Sequence, residues 1–414
     1  MIDIRLAREH PEQFRRALAR KGAGEDFESL LEVDARWREL TGEVDELRRR
    51  TRPKGKPTDE ERAALVLVGT ELAEAEAKLE GLTRRRADLL GSIPNPPDDS
   101  VPDGDTDEDA LELRKVGMPP AFSFEPKDHV ELSSMGADGP ARPGFDLERG
   151  ARLSGARFAY RKGPVALVEL ALYRYALDHL VKLGFEPVLP PVLVREAAMY
   201  GTGFLPTDEV NLYKLESDGL YLSGTSEVAL AALHQGEILS AGGLPLRYAG
   251  YSTNFRREAG AAGRDTRGIF RVHQFDKVEM FLYVEPEKSR EYHEEILAIE
   301  EEIVTGLGIA YRVVVTAAGD LGPSAAKKYD LEAWIPSQQR YREITSCSNT
   351  TDYQARRLNI RFRDEKGALG FPHTLNGTAM TARVLIALVE ANQDQEGHVS
   401  VPAVLGPYGA PEHL

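Results

Sequence analysis

Some segments of the chain gather side chains whose types and spacing could do chemistry. Residues 255–258 read Phe-Arg-Arg-Glu, a stretch rich in glycine and alanine follows, and residues 269–281 then alternate like a strand. In that second stretch Arg271, Phe275 and Glu279 stand four residues apart. An even spacing puts all three on one face of a strand. A cation, an aromatic ring and a carboxylate on one face can hold a phosphate, a base and an amine together. The same pattern also describes a surface hairpin with alternating charges, and spacing alone leaves the choice open. Further on, Thr374–Thr378 (TLNGT) reads as a turn, and Ala379–Ala391 reads as a helix with Arg383 in its first turns. An arginine near a helix N-terminus is ordinarily a surface residue, so by itself it decides nothing.

Composition limits what these groups can serve. With 42% hydrophobic and 29% charged residues over 414 positions, the chain can bury a sizeable core, and its length favours two or three domains. Its net charge of −15 argues against a general nucleic-acid binder, so a polyanionic partner would need a local basic patch. No run of 18 apolar residues occurs, which excludes a membrane-spanning helix. The first residues carry Asp3 and no apolar signal core, so secretion is not expected. Cys347 is the only cysteine, which excludes an internal disulfide and multi-cysteine metal sites and points to a reducing cytoplasm. Cys347 itself reads as a small packed residue. His273 has no neighbour spaced to make it a metal ligand.

The elements that must position these groups fall into three parts. Residues 1–92 are helical, 93–108 form a linker with four prolines and many carboxylates, and 109–414 mix helix and strand. In the first part Leu30, Val33, Trp37, Leu40, Val44 and Leu47 recur at alternating steps of three and four. Leu65, Val68, Leu72, Ala75, Leu79, Leu82, Arg86 and Leu89 repeat the pattern, with Arg86 the one polar intruder. These are heptad seams on two helices. The prolines at 53 and 57 separate them, and Thr58 with Glu61 forms a capping-box signature at the second start. The economical solution is an antiparallel helical hairpin with a seam of roughly 25–35 Å. Arg48, Arg49, Arg50, Arg52, Lys54 and Lys56 cluster at its tip, and Arg84, Arg85 and Arg86 lie on the returning helix. A one-signed run in so acidic a protein fits phosphate contacts; a solvated helix face and a dimerisation coil are the competing readings.

Residues 166–183 read as an amphipathic helix ended by Gly184, followed by a strand over 185–189 that runs into Pro190-Pro191. This segment, the Phe-Arg-x-Glu, loop, Arg-x-x-x-Phe-x-x-x-Glu pattern of 255–279, and the segment carrying Arg383 resemble, in order, the three motifs of class II aminoacyl-tRNA synthetases. Thr225-Ser226-Glu227, the run 341–349 (YREITSCSN), Gln354–Arg357 (QARR) and the N-terminal hairpin resemble seryl-tRNA synthetases of the bacterial type in particular. The resemblance covers essentially the whole chain.

The resemblance implies an α+β fold: a class II antiparallel sheet flanked by helices, with an N-terminal antiparallel helical hairpin, in a homodimer. It implies a cytoplasmic ligase with L-serine, ATP and tRNA(Ser) as partners, no membrane, magnesium as the metal, and tRNA(Sec) as a further acceptor to test. The serine carboxylate would attack ATP to give seryl-adenylate, and the seryl group would pass to the 3′ end of the tRNA. Such a reaction needs alignment and charge stabilisation rather than a general base. This accounts for the lack of a Ser–His–Asp arrangement and of a GxxxxGK[ST] loop. By the motif positions, Arg256 and Arg383 are the catalytic arginines. Thr225, Ser226, Glu227, Glu279 and Thr378 face serine, with Thr378 nearest its hydroxyl. Arg256, Arg257, Glu258, Val272, Phe275, Glu343, Ile344, Thr345, Ser346 and Arg383 hold ATP, with Phe275 and Arg383 on the two faces of adenine. Glu343 and Ser346 are the magnesium ligands, and the six basic residues at the hairpin tip meet tRNA. Three features depart from the family pattern: a short hairpin with a proline-rich tip, Ser at 226 where Ala is more usual, and a span from Asn376 to Arg383 one residue tighter. They keep two alternatives in view, a specialised paralogue for antibiotic biosynthesis or resistance and a non-enzymatic RNA-binding paralogue.

Overall fold

The computed structural model describes residues 1–52, 58–134, 144–259, 265 and 267–414. Its contacts divide the chain into two units, Met1–Pro96 and Pro97–Leu414.

The first unit is built of helices α1 (Ile4–Glu9), α2 (Pro11–Ala19), α3 (Gly24–Arg50) and α4 (Asp59–Ser92). Asp3 caps α1 by accepting from the N–H groups of Arg5 and Leu6. The capping box at Thr58 and Glu61 opens α4 as expected. At 27 and 34 residues, α3 and α4 extend ~40 and ~50 Å. Phe27, Leu30, Leu89, Leu90 and Ile93 pack with the short helices in one apolar cluster. Val44, Leu47 and Ala75 form a second, flanked by Leu40, Val68, Leu72 and Leu79. Between the clusters the seam is polar. Arg86, the intruder in the heptad, donates to Asp34 at 2.7 Å and lies 4.7 Å over the Trp37 ring. Asp34 is 1% exposed and also meets Arg8 at 3.3 Å and Arg38 at 3.2 Å. A buried carboxylate with three guanidinium partners fixes the register of α3 against α4 more sharply than another leucine would.

The second unit is organised on an eight-stranded sheet. Its strands are β1 (Leu111–Val116), β2 (Glu186–Val188), β3 (Leu246–Phe255), β4 (Gln274–Val284), β5 (Tyr311–Val315), β6 (Lys327–Ile335), β7 (Arg340–Asn349) and β8 (His373–Thr381). The spatial order is β1-β5-β6-β7-β8-β4-β3-β2. Every pairing is antiparallel except the short edge strand β2, which runs parallel to β3. Helices α5 (Pro164–Lys182), α6 (Ser289–Gly306) and α7 (Ala382–Ala391) supply apolar residues to the main core with β4, β5, β6 and β8. Gly184, at φ +83°, closes α5 in a Schellman motif: the Phe185 N–H donates to Leu180 O and the Gly184 N–H to Val181 O.

Three local expectations change. The stretch Thr374–Thr378 is not a turn, nor do residues 379–381 belong to the following helix. All lie in β8, between β4 and β7, and α7 begins at Ala382 with Thr381 as its N-cap. Pairing on both sides overrides the local Asn-Gly turn preference. Gly377 is there for packing, since a Cβ would stand 2.3 Å from Ile296 Cγ2 on α6. Arg271 precedes its strand, which starts at Gln274. The proline-rich segment is not free chain beyond Pro97. The Asp98 N–H donates to Ala326 O, and Val101 is buried with Ala318, Leu321 and Ala325.

Replacing Asp34 with alanine removes the buried acceptor shared by Arg8, Arg38 and Arg86. The expected cost to the helical unit is about 2–3 kcal/mol. In hydrogen exchange on the full chain, amides of α3 and α4 near the seam should exchange roughly 30- to 140-fold faster. Unchanged protection there would show that Asp34 does not hold the hairpin.

Candidate active site

Strands β4, β6, β7 and β8 line a cavity of about 370 Å³. On β4 the alternate residues Phe275, Lys277 and Glu279 all face it. Register pairing sets Thr378 of β8 directly opposite Glu279. Lys277 and Glu279 form an ion pair at 8% and 2% side-chain exposure. Burial pushes the Glu279 carboxyl up to about 7 despite Lys277, and nearby Glu227 adds to the rise. Glu227 opens the short helix Glu227–Ala231. Its Oε1 accepts from Gln354 Nε2 at 2.7 Å and Asn376 Nδ2 at 2.9 Å. Burial raises its pKa too, against the pull of Gln354, Lys277 and Arg256. Thr225 completes this end, its hydroxyl accepting the Glu227 N–H at 3.2 Å.

At the other end Arg256 donates from Nε to Gly224 O at 3.1 Å and lies 5.4 Å over the Phe275 ring. His273 holds the same residue in place, with its Nδ1 2.8 Å from the Arg256 carbonyl oxygen. Arg383, in the first turn of α7, donates to Glu343 Oε2 at 3.1 Å and stacks 4.7 Å from the Phe270 ring. Burial alone would raise the Glu343 pKa, but Lys328, Arg383 and Arg256 hold it below the ordinary carboxylate value. Ile344, Thr345 and Ser346 line the wall beside it, and Val272 lines the wall near Phe275. Glu258, at φ +53°, is paired with Arg271 at 2.5 Å.

The cavity therefore has a carboxylate-rich end of small polar groups and a guanidinium-rich end with aromatic walls. That division suits a small zwitterion beside a polyphosphate and a planar base. Glu343 and Ser346 are oxygen donors suited to a hard cation that takes its other ligands from phosphate and water. Among the described residues no cluster of three or more His, Cys, Asp or Glu side chains could hold a metal alone. Cys347 is buried, and its thiol is pushed far up by burial, so it is no nucleophile.

Most of the anticipated residues line this cavity, with two exceptions. The Ser226 hydroxyl turns away and donates to Gly250 O at 3.4 Å. Arg257 stacks 5.0 Å over Tyr213, and its N–H donates to Asn211 O. Ser226 sits at the N-cap of the helix Glu227–Ala231 with helical dihedrals, and Arg257 lies beyond the end of β3. The sequence reading missed Lys277, Lys328, Gln354 and Asn376. Lys277 was within reach, since it shares the even spacing of Phe275 and Glu279. Gln354 and Asn376 are neutral amides that meet Glu227 only through the fold. At the hairpin, Arg48 pairs with Glu76, Arg49 with Glu46, Arg84 with Glu80 and Arg86 with Asp34. The side chains of Arg50 and Arg52 make no ion pair among the described residues, while Lys54 and Lys56 lie outside them.

Comparison with known proteins gives the family of the chain. Residues 1–97 match the seryl-tRNA synthetase N-terminal domain, and residues 213–392 match the tRNA synthetase class II core domain (G, H, P, S and T). The chain is 47% identical to a serine–tRNA ligase of Thermobifida fusca and 46% identical to one of Nocardia farcinica, over 99% of this chain and 97% and 98% of theirs. Among solved structures, the seryl-tRNA synthetase of Pyrococcus horikoshii complexed with ATP superposes with a TM-score of 0.93 at 40% identity, covering 100% of this chain and 99% of that one. With both domains matched in order and the likeness running through the hairpin and the cavity strands alike, the chain belongs to the seryl-tRNA synthetase family.

Proposed function

We propose that this chain is a serine–tRNA ligase that joins serine to ATP and passes the seryl group to tRNA(Ser). The observation that carries this reading is the pairing of Glu279 and Thr378 across β4 and β8, beside Arg256 and Phe275. It gives a serine-sized polar end next to a nucleotide-sized cationic end. Serine enters with its ammonium toward Glu227 and Glu279 and its hydroxyl toward Thr378. Arg256 bridges the serine carboxylate and the α-phosphate. The carboxylate oxygen attacks the α-phosphorus, the bond to the bridging oxygen breaks, and pyrophosphate leaves. Phe275 and Arg383 flank adenine. Glu258 turns from Arg271 to the adenine amino group. Glu343 and Ser346 would hold magnesium, which would supply positive charge to offset that of the phosphates. A terminal ribose hydroxyl of the tRNA then attacks the seryl carbonyl and AMP departs. The hairpin tip takes the tRNA, and the copies pair through α5, where Leu167 and Leu170 are 50% and 58% exposed. The enzyme works in the cytoplasm, and among the described residues no helix is long and apolar enough to cross a membrane.

Serine should support ATP–pyrophosphate exchange. Alanine should be rejected by about 10⁴-fold in kcat/KM, because it leaves the groups around the hydroxyl unpaired. Exchange that ignores serine would sink the reading. The reaction should also depend on pH through Glu279. With its pKa raised to about 7, Glu279 is ionised above that pH and neutral below it, and only the anion pairs with the ammonium. The KM for serine should therefore climb ~10-fold per pH unit below 7 while that for ATP stays flat. Glu279→Gln should abolish the climb, and a flat serine profile in the wild type would exclude Glu279 from ammonium binding. At the hairpin, Arg50→Ala with Arg52→Ala should lower tRNA charging and flatten its log–log salt slope by about 2. Adenylate formation should be unchanged; equal loss of both activities would contradict the separation of roles.

A further inference from the structure

We propose that His129, distant in sequence from every cavity strand, is a positioning residue for the nucleotide end of the cavity. The proposal rests on the ligase reading above and adds a residue to it. His129 opens the four-residue helix His129–Leu132 and is 4% exposed. Its Nδ1 lies 2.9 Å from Glu390 Oε1, and its own N–H donates to the same oxygen at 3.1 Å. Its Nε2 accepts the Ile269 N–H at 3.2 Å. With Nε2 an acceptor, the ring is neutral and its proton sits on Nδ1, donated to Glu390. Glu390, fully buried in the last turn of α7, receives the Ser337 N–H on its other oxygen at 3.2 Å. Gln393 holds the chain just before the histidine, accepting from Lys127 N–H at 2.8 Å and donating to Lys127 O at 3.0 Å.

The contact is closely fitted. Gly268 has φ +79°, and a Cβ there would stand 2.2 Å from His129 Nε2. Arg267 adds ion pairs to Asp128 at 2.6 Å and Glu131 at 2.7 Å. Directly after Ile269 the chain enters the nucleotide wall. The Phe270 ring lies 4.7 Å from the Arg383 guanidinium and 3.8 Å from that of Arg342, and its carbonyl accepts from Arg383 Nε at 3.4 Å. Arg271 is the partner of Glu258. The bond at Ile269 thus anchors the chain immediately before Phe270 and Arg271, while α7 carries the histidine's partner Glu390 and Arg383 on a single element. Glu279 and Thr378, at the serine end, stand on paired strands that His129 does not touch.

Two substitutions separate positioning from simple stability. His129→Asn keeps a donor near Nδ1 and loses the Nε2 acceptor. His129→Gln offers a carbonyl oxygen near the Nε2 position. Steady-state exchange with the full chain should give His129→Asn an ATP KM raised ~10-fold and a serine KM within ~2-fold of wild type. His129→Gln should return the ATP KM to within ~3-fold. Gly268→Ala, which crowds the same ring, should show the same split. An ATP KM unchanged in both His129→Asn and Gly268→Ala, an equal rise in both KM values, or loss of folding in all three variants would overturn the proposal. Calorimetric titration with ATP keeps it distinct from the ligase reading. Wild type that binds ATP without serine-dependent exchange removes the ligase reading, and the ATP affinities then still decide the role of His129. Wild type that binds no ATP overturns both.

Discussion

A carboxylate taken out of water must find a partner or give up its charge, and the larger unit is arranged around meeting that condition in the middle of its sheet. Glu343, Glu279 and Glu227 share one cavity and meet the condition differently. Glu343 stays ionised because Lys328, Arg383 and Arg256 surround it. Glu279 is paired with Lys277 and feels Arg256 more weakly, and burial still pushes it up to about 7. Glu227 is held by neutral amides, which orient it without supplying full charge. On the proposed reading, the serine ammonium would complete the compensation at that end, and phosphate would meet the arginines at the other. Binding energy would then be directed to the charged groups of the two substrates, and so to their alignment.

This arrangement requires strands that do not move relative to one another. β4 is paired on both sides over most of its length, and β8 fills the place between it and β7. The hydrogen-bond register, rather than any loop, sets Glu279 opposite Thr378. The groups proposed to reach the base and phosphates are placed differently. Glu258, Arg271 and Arg383 lie just beyond strand ends or in the first turn of a helix. Their placement depends on side-chain contacts such as Phe270 under two arginines.

That difference explains what could be read in advance. The hairpin, the capping box at Thr58, the α5 stop at Gly184 and the Phe275–Glu279 face are local patterns, and they stand as the sequence suggests. The strand β8 was hidden, because Asn376-Gly377 carries a turn preference that only two flanking strands and the close approach of α6 overcome. Gln354 and Asn376 were hidden for a related reason. A neutral amide has no periodicity or charge to mark it, and both reach Glu227 across more than a hundred residues. Ser226 lies between two cavity residues in sequence, but its hydroxyl is taken up by the Gly250 carbonyl of β3.

The helical unit obeys the same electrostatic rule with the opposite result. A count of arginines along its helices suggests a broad basic surface, but a cation already matched at close range contributes little field beyond a Debye length of about 8 Å. Arg86 serves Asp34, and Arg48, Arg49 and Arg84 each face a glutamate. Among the described residues of the basic run, Arg50 and Arg52 near the end of α3 and Arg85 on α4 make no ion pair. In a chain with a net charge of −15, a polyanion is repelled at long range almost everywhere. On the proposed reading, exposed guanidinium groups at the end of α3 would favour a polyanion there over the acidic remainder of the chain.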